Sequence, residues 1–485
     1  MKPEEISLIK SKQNAAIIAP AGHGKTEMIV DLVEHAERKA LLVTHTNAGV
    51  DALVKRLKKR NVGSNKYSIT TIAGFCLRWS SAYPKTADIR DIPVDDNDYY
   101  PMLYDGTFYI FKNTWARKVL QNTYSCVIVD EYQDCIIPQH LIFLEINKSI
   151  PVIVFGDPLQ AIFGWAGCLV SWKNLGFDII NVETHPWRWN KTNPKLGEYL
   201  CNIRSILEPG LNGQNVTINV ESIEKCIRVL PTSYKHNISP LLSIIKTFEN
   251  TAYITNLKSD QEKFSHGTGG IFQNDETQNI KELLTNAAYF DKREGSISAK
   301  CLFVFLSQCA TNVTTELMSY SNNINKGNFD FGRIKKYPEF GELIKKVYND
   351  ASNQSIIAVL DWIRREKAFR IFRKELISEM RRALVYSNEN SISIYDAAQK
   401  IRTLPGLQRR YAGFRFLSSR TLLLKGLEFD CVIIDLEKGM TVTDYYVALT
   451  RARKYIFIIS DKKSIVLCPP KNQIPKRICH GIDKT

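Results

Sequence analysis

The chain has no run of apolar residues long enough to cross a bilayer, and its start, MKPEEISLIK, lacks the charged-then-apolar shape of a signal peptide. Neither a membrane span nor a secretory leader is expected. Eleven cysteines are scattered, with no C-x-x-C pair and no His-rich companion. That pattern argues against a zinc knuckle and against a disulfide framework, and it suits a reducing cytoplasm. Cys126, Cys135 and Cys431 lie in or beside apolar runs and read as small buried hydrophobes. No internal repeat and no nuclease motif is visible.

Acidic residues are also in short supply. Fifty Asp and Glu face 65 Lys and Arg, giving a formal charge of +15 and a pI near 9.1. A polyanion partner gains from such a surface because neutralised phosphates release counterions. Charge alone does not separate that partner from a basic solvated face. The hydrophobic share of 44% and charged share of 24% are ordinary for globular protein. The 485 residues allow about two to four domains.

What is present is a rhythm. AAIIAP leads into KTEMIVDLVEHAE, KALLVTHT into AGVDALVKRLKKR, and YSITTI into GFCLRWSSAY. CVIVDE, PVIVFGD and FDIINVET follow. Strand, turn and helix in this order predict an α/β fold with a parallel sheet covered on both faces. Between Tyr83 and Asn122 the rhythm lapses into an acidic, tyrosine-rich stretch, read as a small insertion. Later strands are expected at 251–256, 421–426, 431–436 and 455–460. Most of 275–410 reads as helical. Its clearest part, SIIAVLDWIRREKAFRIFRKELISEMRRALVY, carries apolar residues at helical spacing with Arg and Lys opposite. An amphipathic helix pair packed on a core accounts for it, and its basic face could alternatively lie along nucleic acid. The tail after Lys462, with Pro469, Pro470 and Pro475, is expected to be irregular.

Two motifs carry chemistry. IIAPAGHGKT ends an apolar strand and opens a helix. Small residues let the backbone N–H groups of Ala21, Gly22, His23 and Gly24 curl around phosphate oxygens. Lys25 would reach the β- and γ-phosphates, and the Thr26 hydroxyl would ligate Mg²⁺. Ala19 stands where the strict pattern wants glycine. VIVDEYQDC, 127–135, places carboxylates straight after a buried strand. Asp130 would complete the Mg²⁺ site, and Glu131 would activate the attacking water.

In order, these and later motifs resemble the UvrD/Rep/PcrA-like helicases of superfamily 1, closely over 15–190 and 415–460. VDEYQD is similar to the family's D-E-x-Q-D box. VFGDPLQAIFGWAG (154–167), THPWRWN (184–190), LKGLEFDCVII (424–434) and YVALTRARKYIFII (446–459) resemble the boxes that follow. The resemblance implies two RecA-like lobes with ATP between them. It assigns 1–185 to the first lobe, with the small insertion at about 83–122. It assigns 186–284 with 411–485 to the second lobe, and 285–410 to a helical accessory insertion. It further implies that Gln160 senses the γ-phosphate and that Arg188 and Arg451 reach it from the second lobe. Glu428 would contact the ribose, and Gly426 would allow close approach. Phe163 and Trp165 would stack on bases of single-stranded DNA, and VTHTNAGVDAL (43–53) would touch the strand through Thr44, His45, Thr46 and Asn47. His45 stands where the family has phenylalanine; it either stacks or is surface. TIAGFCLR (71–78) brings Thr71 to the same strand.

Several departures thin these contacts. No clear adenine-reading glutamine precedes the loop: counting back lands near Glu4 and Glu5, and Gln13 lies too close to the strand. Leu422, Ala48, Ala73 and Ala166 replace residues the family uses to link DNA and nucleotide. The reading that emerges is an ATP- and Mg²⁺-dependent single-stranded DNA translocase or helicase, 3′-to-5′ by resemblance, acting on single-stranded or forked DNA. The alternative is a DNA-stimulated ATPase subunit of a nuclease complex, for example in anti-phage defence, with feeble unwinding alone. A binding module with a vestigial ATP site is disfavoured by the complete hydrolytic set.

Overall fold

The computed structural model describes residues 1–90, 98–164, 167–274, 280–403, 415–436 and 439–470. Among them, β1 (Asn14–Ile18), β2 (Ala40–Thr44), β3 (Tyr67–Thr71), β4 (Cys126–Val129) and β5 (Val152–Gly156) form one sheet. Its order is β1-β5-β4-β2-β3, and every pairing is parallel. Alternation along each strand explains the unbroken apolar runs. Ala15, Ile17, Leu42, Ile128, Ile153 and Phe155 enter the core on one face. Ala16, Leu41, Val43, Val127, Val129, Val152 and Val154 enter the core on the other. A parallel sheet clad on both sides needs apolar residues at both parities.

The second lobe repeats this logic. It contains β6 (Val216–Asn219), β7 (Ile227–Leu230), β8 (Thr251–Thr255), β9 (Gln273–Asn274), β10 (Phe416–Arg420), β11 (Phe429–Asp435), β12 (Ala452–Ile459) and β13 (Ser464–Leu467). Six of these make a parallel sheet of order β7-β12-β11-β8-β10-β9, while β13 pairs antiparallel with β6. Ala252, Ile254, Val432, Ile434, Ile456 and Ile458 face one core, and Tyr253, Cys431, Ile433, Phe457 and Ile459 the other. The fold is thus a pair of RecA-like α/β lobes, with a largely helical segment running between β9 and β10. That segment packs around its own apolar cluster, drawn from residues between Leu283 and Ile401. The amphipathic stretch read in it forms two helices, Asn353–Arg365 and Lys374–Asn390.

Four expectations need correction. FDIINVET forms no strand: a single bridge, Ala16↔Ile179, holds it to β1. Ile180 is buried but Ile179 is 48% exposed, so extending the pairing would gain little burial. The stretch 421–426 is not a strand either. The strand is Phe416–Arg420, and Thr421–Leu424 is a 3₁₀ turn running toward Gly426, whose φ is +86°. Ser418 and Ser419 disguise the true strand; both are fully buried, and the Ser418 hydroxyl donates to the Gln261 carbonyl at 2.9 Å. Among its described residues, the tyrosine-rich stretch after Tyr83 joins the first core, through helices such as Tyr99–Lys112 and Thr114–Thr123 that bury Leu103, Ile110, Phe111 and Leu120. Finally, the tail is ordered into β13, while 471–485, including Pro475, lies outside the described residues.

Candidate functional site

Ligands of open parallel sheets bind beyond the carboxyl ends of the strands, and the charged residues gather there. β1 runs into the loop 19–24, in which Gly22 and Gly24 adopt φ of +72° and +88°. These left-handed conformations favour glycine. Gly24 is the N-cap of the helix Lys25–Glu34, so Lys25 and Thr26 occupy its first turn. The second lobe rests on this loop. The Arg188 amide donates to the Gly22 carbonyl at 3.1 Å. A Cβ added to Gly22 would lie 2.7 Å from the Trp189 ring, and one on Gly24 would lie 3.1 Å from Trp187. His23 is buried, with Nδ1 2.8 Å from the Ala21 carbonyl, and burial pushes its imidazole below the ordinary range.

At the end of β4, the Asp130 amide donates to the Val43 carbonyl at 2.8 Å, and its carboxylate accepts from the Glu131 amide at 2.8 Å. Glu131 is itself left-handed, with φ of +57°, an uncommon conformation for a side chain of its size. Lys25 Nζ donates to Glu131 Oε1 and lies 3.4 Å from Asp130 Oδ1. Burial alone would lower the Lys25 ammonium, but the two carboxylates overturn that and hold it above its usual range. Burial would raise Glu131, yet Lys25 and Lys425 hold it well below the usual carboxylate range. Burial keeps Asp130 raised against the pull of Lys25.

Asp157, at the end of β5, is fully buried and organises the centre. One carboxylate oxygen accepts from the Ala21 amide (3.2 Å) and from Gln160 Nε2 (2.8 Å). The other accepts from the Leu159 amide (3.3 Å) and from Arg204 Nη1 (2.8 Å) of the second lobe. Gln133 closes the ring, donating to Glu131 at 2.5 Å and accepting from the Asp157 amide at 3.0 Å. Gln160 Oε1 accepts from Arg451 Nη2 at 3.2 Å. Three side-chain bonds therefore join Arg451 to the phosphate loop. Burial, then the neighbouring Arg188, pushes the Arg451 guanidinium down to about 10. Arg188 itself pairs with Glu428 at 2.7 Å and donates to the Thr450 carbonyl at 2.5 Å. Gly426 leaves open space where a Cβ would stand.

Thr26, in the first turn of its helix, and Asp130, at the end of β4, are the oxygen donors that would hold Mg²⁺, a cation that keeps most of its shell as water and substrate phosphates. Among the described residues no group of three His, Cys, Asp or Glu side chains is placed to hold a metal ion. Asp130 is 7% exposed and rests its charge on Lys25, so a divalent cation would find a carboxylate lacking compensation once Lys25 turned to a phosphate. Glu5 accepts from the amides of Lys2 (2.9 Å) and Glu183 (2.8 Å), and Gln13 donates to the Asn147 carbonyl at 2.6 Å.

On the other side of the cleft, the residues read as strand contacts divide. Thr46 and Thr71 cap helices, accepting from the amides of Gly49 (3.1 Å) and Gly74 (3.0 Å). Thr44 is buried against Gly49. His45 is half-buried, its Nε2 3.5 Å from Cys135 Sγ. Burial and then Lys425 push it down to about 3, so it is a neutral inward-facing ring rather than a surface one. Phe163 presents its ring to Lys425 Nζ, 5.3 Å from the centroid. Trp165, Ala166 and the side chain of Asn47 lie outside the described residues.

Four residues escaped the sequence reading: Asp157, Arg204, Lys425 and Tyr446, whose hydroxyl accepts from Arg204 at 3.0 Å. Asp157 and Lys425 lie inside motifs quoted above. Nothing in the sequence marks Arg204.

A phosphate-loop lysine, an acidic pair at the end of a neighbouring parallel strand and a second lobe docked against them define a P-loop NTPase of the RecA-like fold. Residues 4–165 match the family model described as AAA domain. Among curated proteins no sequence matches the chain. Solved structures similar to it include arterivirus nonstructural protein 10, a helicase, in complex with DNA. Its identity is 11% and its TM-score 0.35, with 94% of this chain and 63% of that chain covered. A crystal structure of the same arterivirus protein gives 10%, 0.35, 94% and 61%. The chain spans less than two thirds of the length of either.

Proposed function

We propose that the chain is an ATP-driven motor on single-stranded DNA, a translocase or helicase of the UvrD/Rep/PcrA-like type within superfamily 1. ATP with Mg²⁺ sits at the loop 21–26, with Thr26 and Asp130 as the metal's protein ligands. Glu131 takes the proton of the attacking water. Arg188 and Arg451 reach the γ-phosphate as guanidinium groups from the opposite lobe, which stabilise charge in phosphoryl transfer. The observation that carries this reading is the relay Arg451–Gln160–Asp157–Ala21, by which the state of the phosphate loop reaches the second lobe through bonds. Gln160 sits where loss of the γ-phosphate would rearrange its bonds, so the lobes close with ATP and part after hydrolysis. DNA runs past Phe163 and Trp165, with 3′-to-5′ travel implied by the family resemblance.

A second reading is supported by the capping roles of Thr46 and Thr71, which commit two hydroxyls to the protein itself. It is a DNA-stimulated ATPase subunit working with a separate nuclease, for instance in anti-phage defence. Steady-state ATPase of the purified chain with single-stranded and forked DNA, beside strand displacement on a tailed duplex, tests both. Stimulated turnover with displacement supports the free-standing motor, and stimulated turnover without displacement the partnered subunit. A chain whose ATPase ignores DNA is neither.

A further inference from the structure

Two charged groups in the cleft play no part in that account. Asp134 is the last carboxylate of VDEYQD, and Lys425 is the lysine of LKGLEF. They are 291 residues apart and meet where the lobes face each other. Lys425 Nζ donates to the Asp134 carboxylate and to the Gln160 carbonyl at 2.7 Å, and lies 3.6 Å from Glu131 Oε2. The same nitrogen stands 5.3 Å from the centre of the Phe163 ring, within cation–π range. The side chains of Lys425 and Asp134 are 9% and 1% exposed.

Each of these four partners belongs to the first lobe, although Lys425 is carried by the second. Opening the cleft strips the ammonium of them together, and a buried ion separated from its partners is costly. The arrangement around Glu131 is divided in a telling way. Oε1 faces Lys25, while Oε2 faces Gln133 and Lys425. When a nucleotide draws Lys25 to its phosphates, Lys425 and Gln133 remain to aim the carboxylate. One further observation separates this cluster from an ordinary ion pair: Asp134 Oδ1 is buried and finds no hydrogen-bond partner among the described residues. A buried oxygen without a protein partner calls for an explanation beyond the ion pair itself.

We infer that Lys425 is a positioning residue that couples the nucleic-acid platform to the hydrolytic centre, fixing the Phe163 ring and the Glu131 carboxylate with one ammonium. The inference rests on the motor reading above. A base stacked on Phe163 favours the ring position that Lys425 supports, and that position is available only with the lobes closed over nucleotide. Lys425 thus makes nucleotide binding and strand binding depend on one another.

The test measures that dependence in the full-length chain. Binding of a fluorescent oligo-dT is titrated with and without Mg²⁺ and a non-hydrolysable ATP analogue. Binding of a fluorescent nucleotide analogue is titrated with and without oligo-dT. Linkage requires the two ratios to agree, and coupling between sites is about fivefold or more in typical cases. In Lys425→Met the ratio should fall to within twofold of unity while each ligand alone still binds, and Lys425→Arg should recover much of it. Should the methionine variant fail to fold, Lys425→Gln, which keeps a donor for Asp134 and Gln160 without the charge, should show the same loss. Coupling of native size in Lys425→Met or Lys425→Gln overturns the inference. Absence of coupling in the unmutated chain overturns instead the motor reading on which it stands.

Discussion

Arg204 donates to the fully buried carboxylate of Asp157 at 2.8 Å, joining the helix Pro194–Leu207 of the second lobe to the loop that carries Gln160 in the first. The same carboxylate holds the amide of Ala21 in the phosphate loop. Burial alone would lower the Arg204 guanidinium, but Asp157 more than offsets this and holds it above its ordinary value.

Arg204→Ala leaves a buried carboxylate short of its cationic partner, and breaking a buried pair from one side costs about 3–5 kcal/mol. We expect a lower urea midpoint and melting temperature, with Arg204→Lys recovering part of the loss. Stability of native size in Arg204→Ala would show that the pair carries no net weight.

Lys25 and Glu131 should separate binding from chemistry. Lys25→Ala removes the cation that the proposed function sets against the phosphates, and weaker nucleotide binding together with lost turnover is expected. Glu131→Gln keeps the shape but not the base. It should lower kcat by about 10²–10⁴ while nucleotide still binds, read by stopped-flow binding beside steady-state ATPase. Native turnover in Glu131→Gln removes that residue from the base role.

Gly22 has no room to change. Its positive φ is one obstacle, and the Trp189 ring 2.7 Å from an added Cβ is another. Gly22→Ala should push the loop and Trp189 apart. Weaker nucleotide binding is expected by isothermal titration, together with red-shifted tryptophan emission relative to the unmutated chain, because the buried Trp189 ring would gain contact with water.

Asp134 gives a pH signature. Burial, opposed by Lys425, pushes its carboxyl up to about 6. In an unfolded chain it titrates at about 3.9. Between those values the folded state binds more protons, so this group's contribution to stability falls as pH rises from about 4 to 6. The change amounts to something on the order of 3 kcal/mol. Asp134→Asn should remove that slope, and the difference in melting temperature between variant and native chain should therefore vary with pH across this window. A constant difference refutes the assignment.

The sequence discloses the fold where burial is two-sided. β1, β2, β4, β5, β8, β11 and β12 are continuous apolar runs because both of their faces enter cores. β9, only two residues long, and β6, whose alternate residues are exposed, give too little signal. β10 is hidden because it buries serines, and Ser418 is satisfied by Gln261, a partner 157 residues away. The residues proposed to bind nucleotide are legible for a different reason: each follows directly on a strand end or falls inside a motif. Lys425 and Arg204 acquire their partners only when the lobes dock, and no local pattern encodes that docking.

The helical segment between β9 and β10 closes its own apolar cluster, and those two strands are neighbours, with Leu417 beside Gln273 at the margin of the second sheet. The excursion therefore starts and finishes at one address. A block inserted in this way can be enlarged, trimmed or exchanged over evolutionary time without rethreading the phosphate-binding machinery, so descendants of one engine could acquire different tools at a single socket.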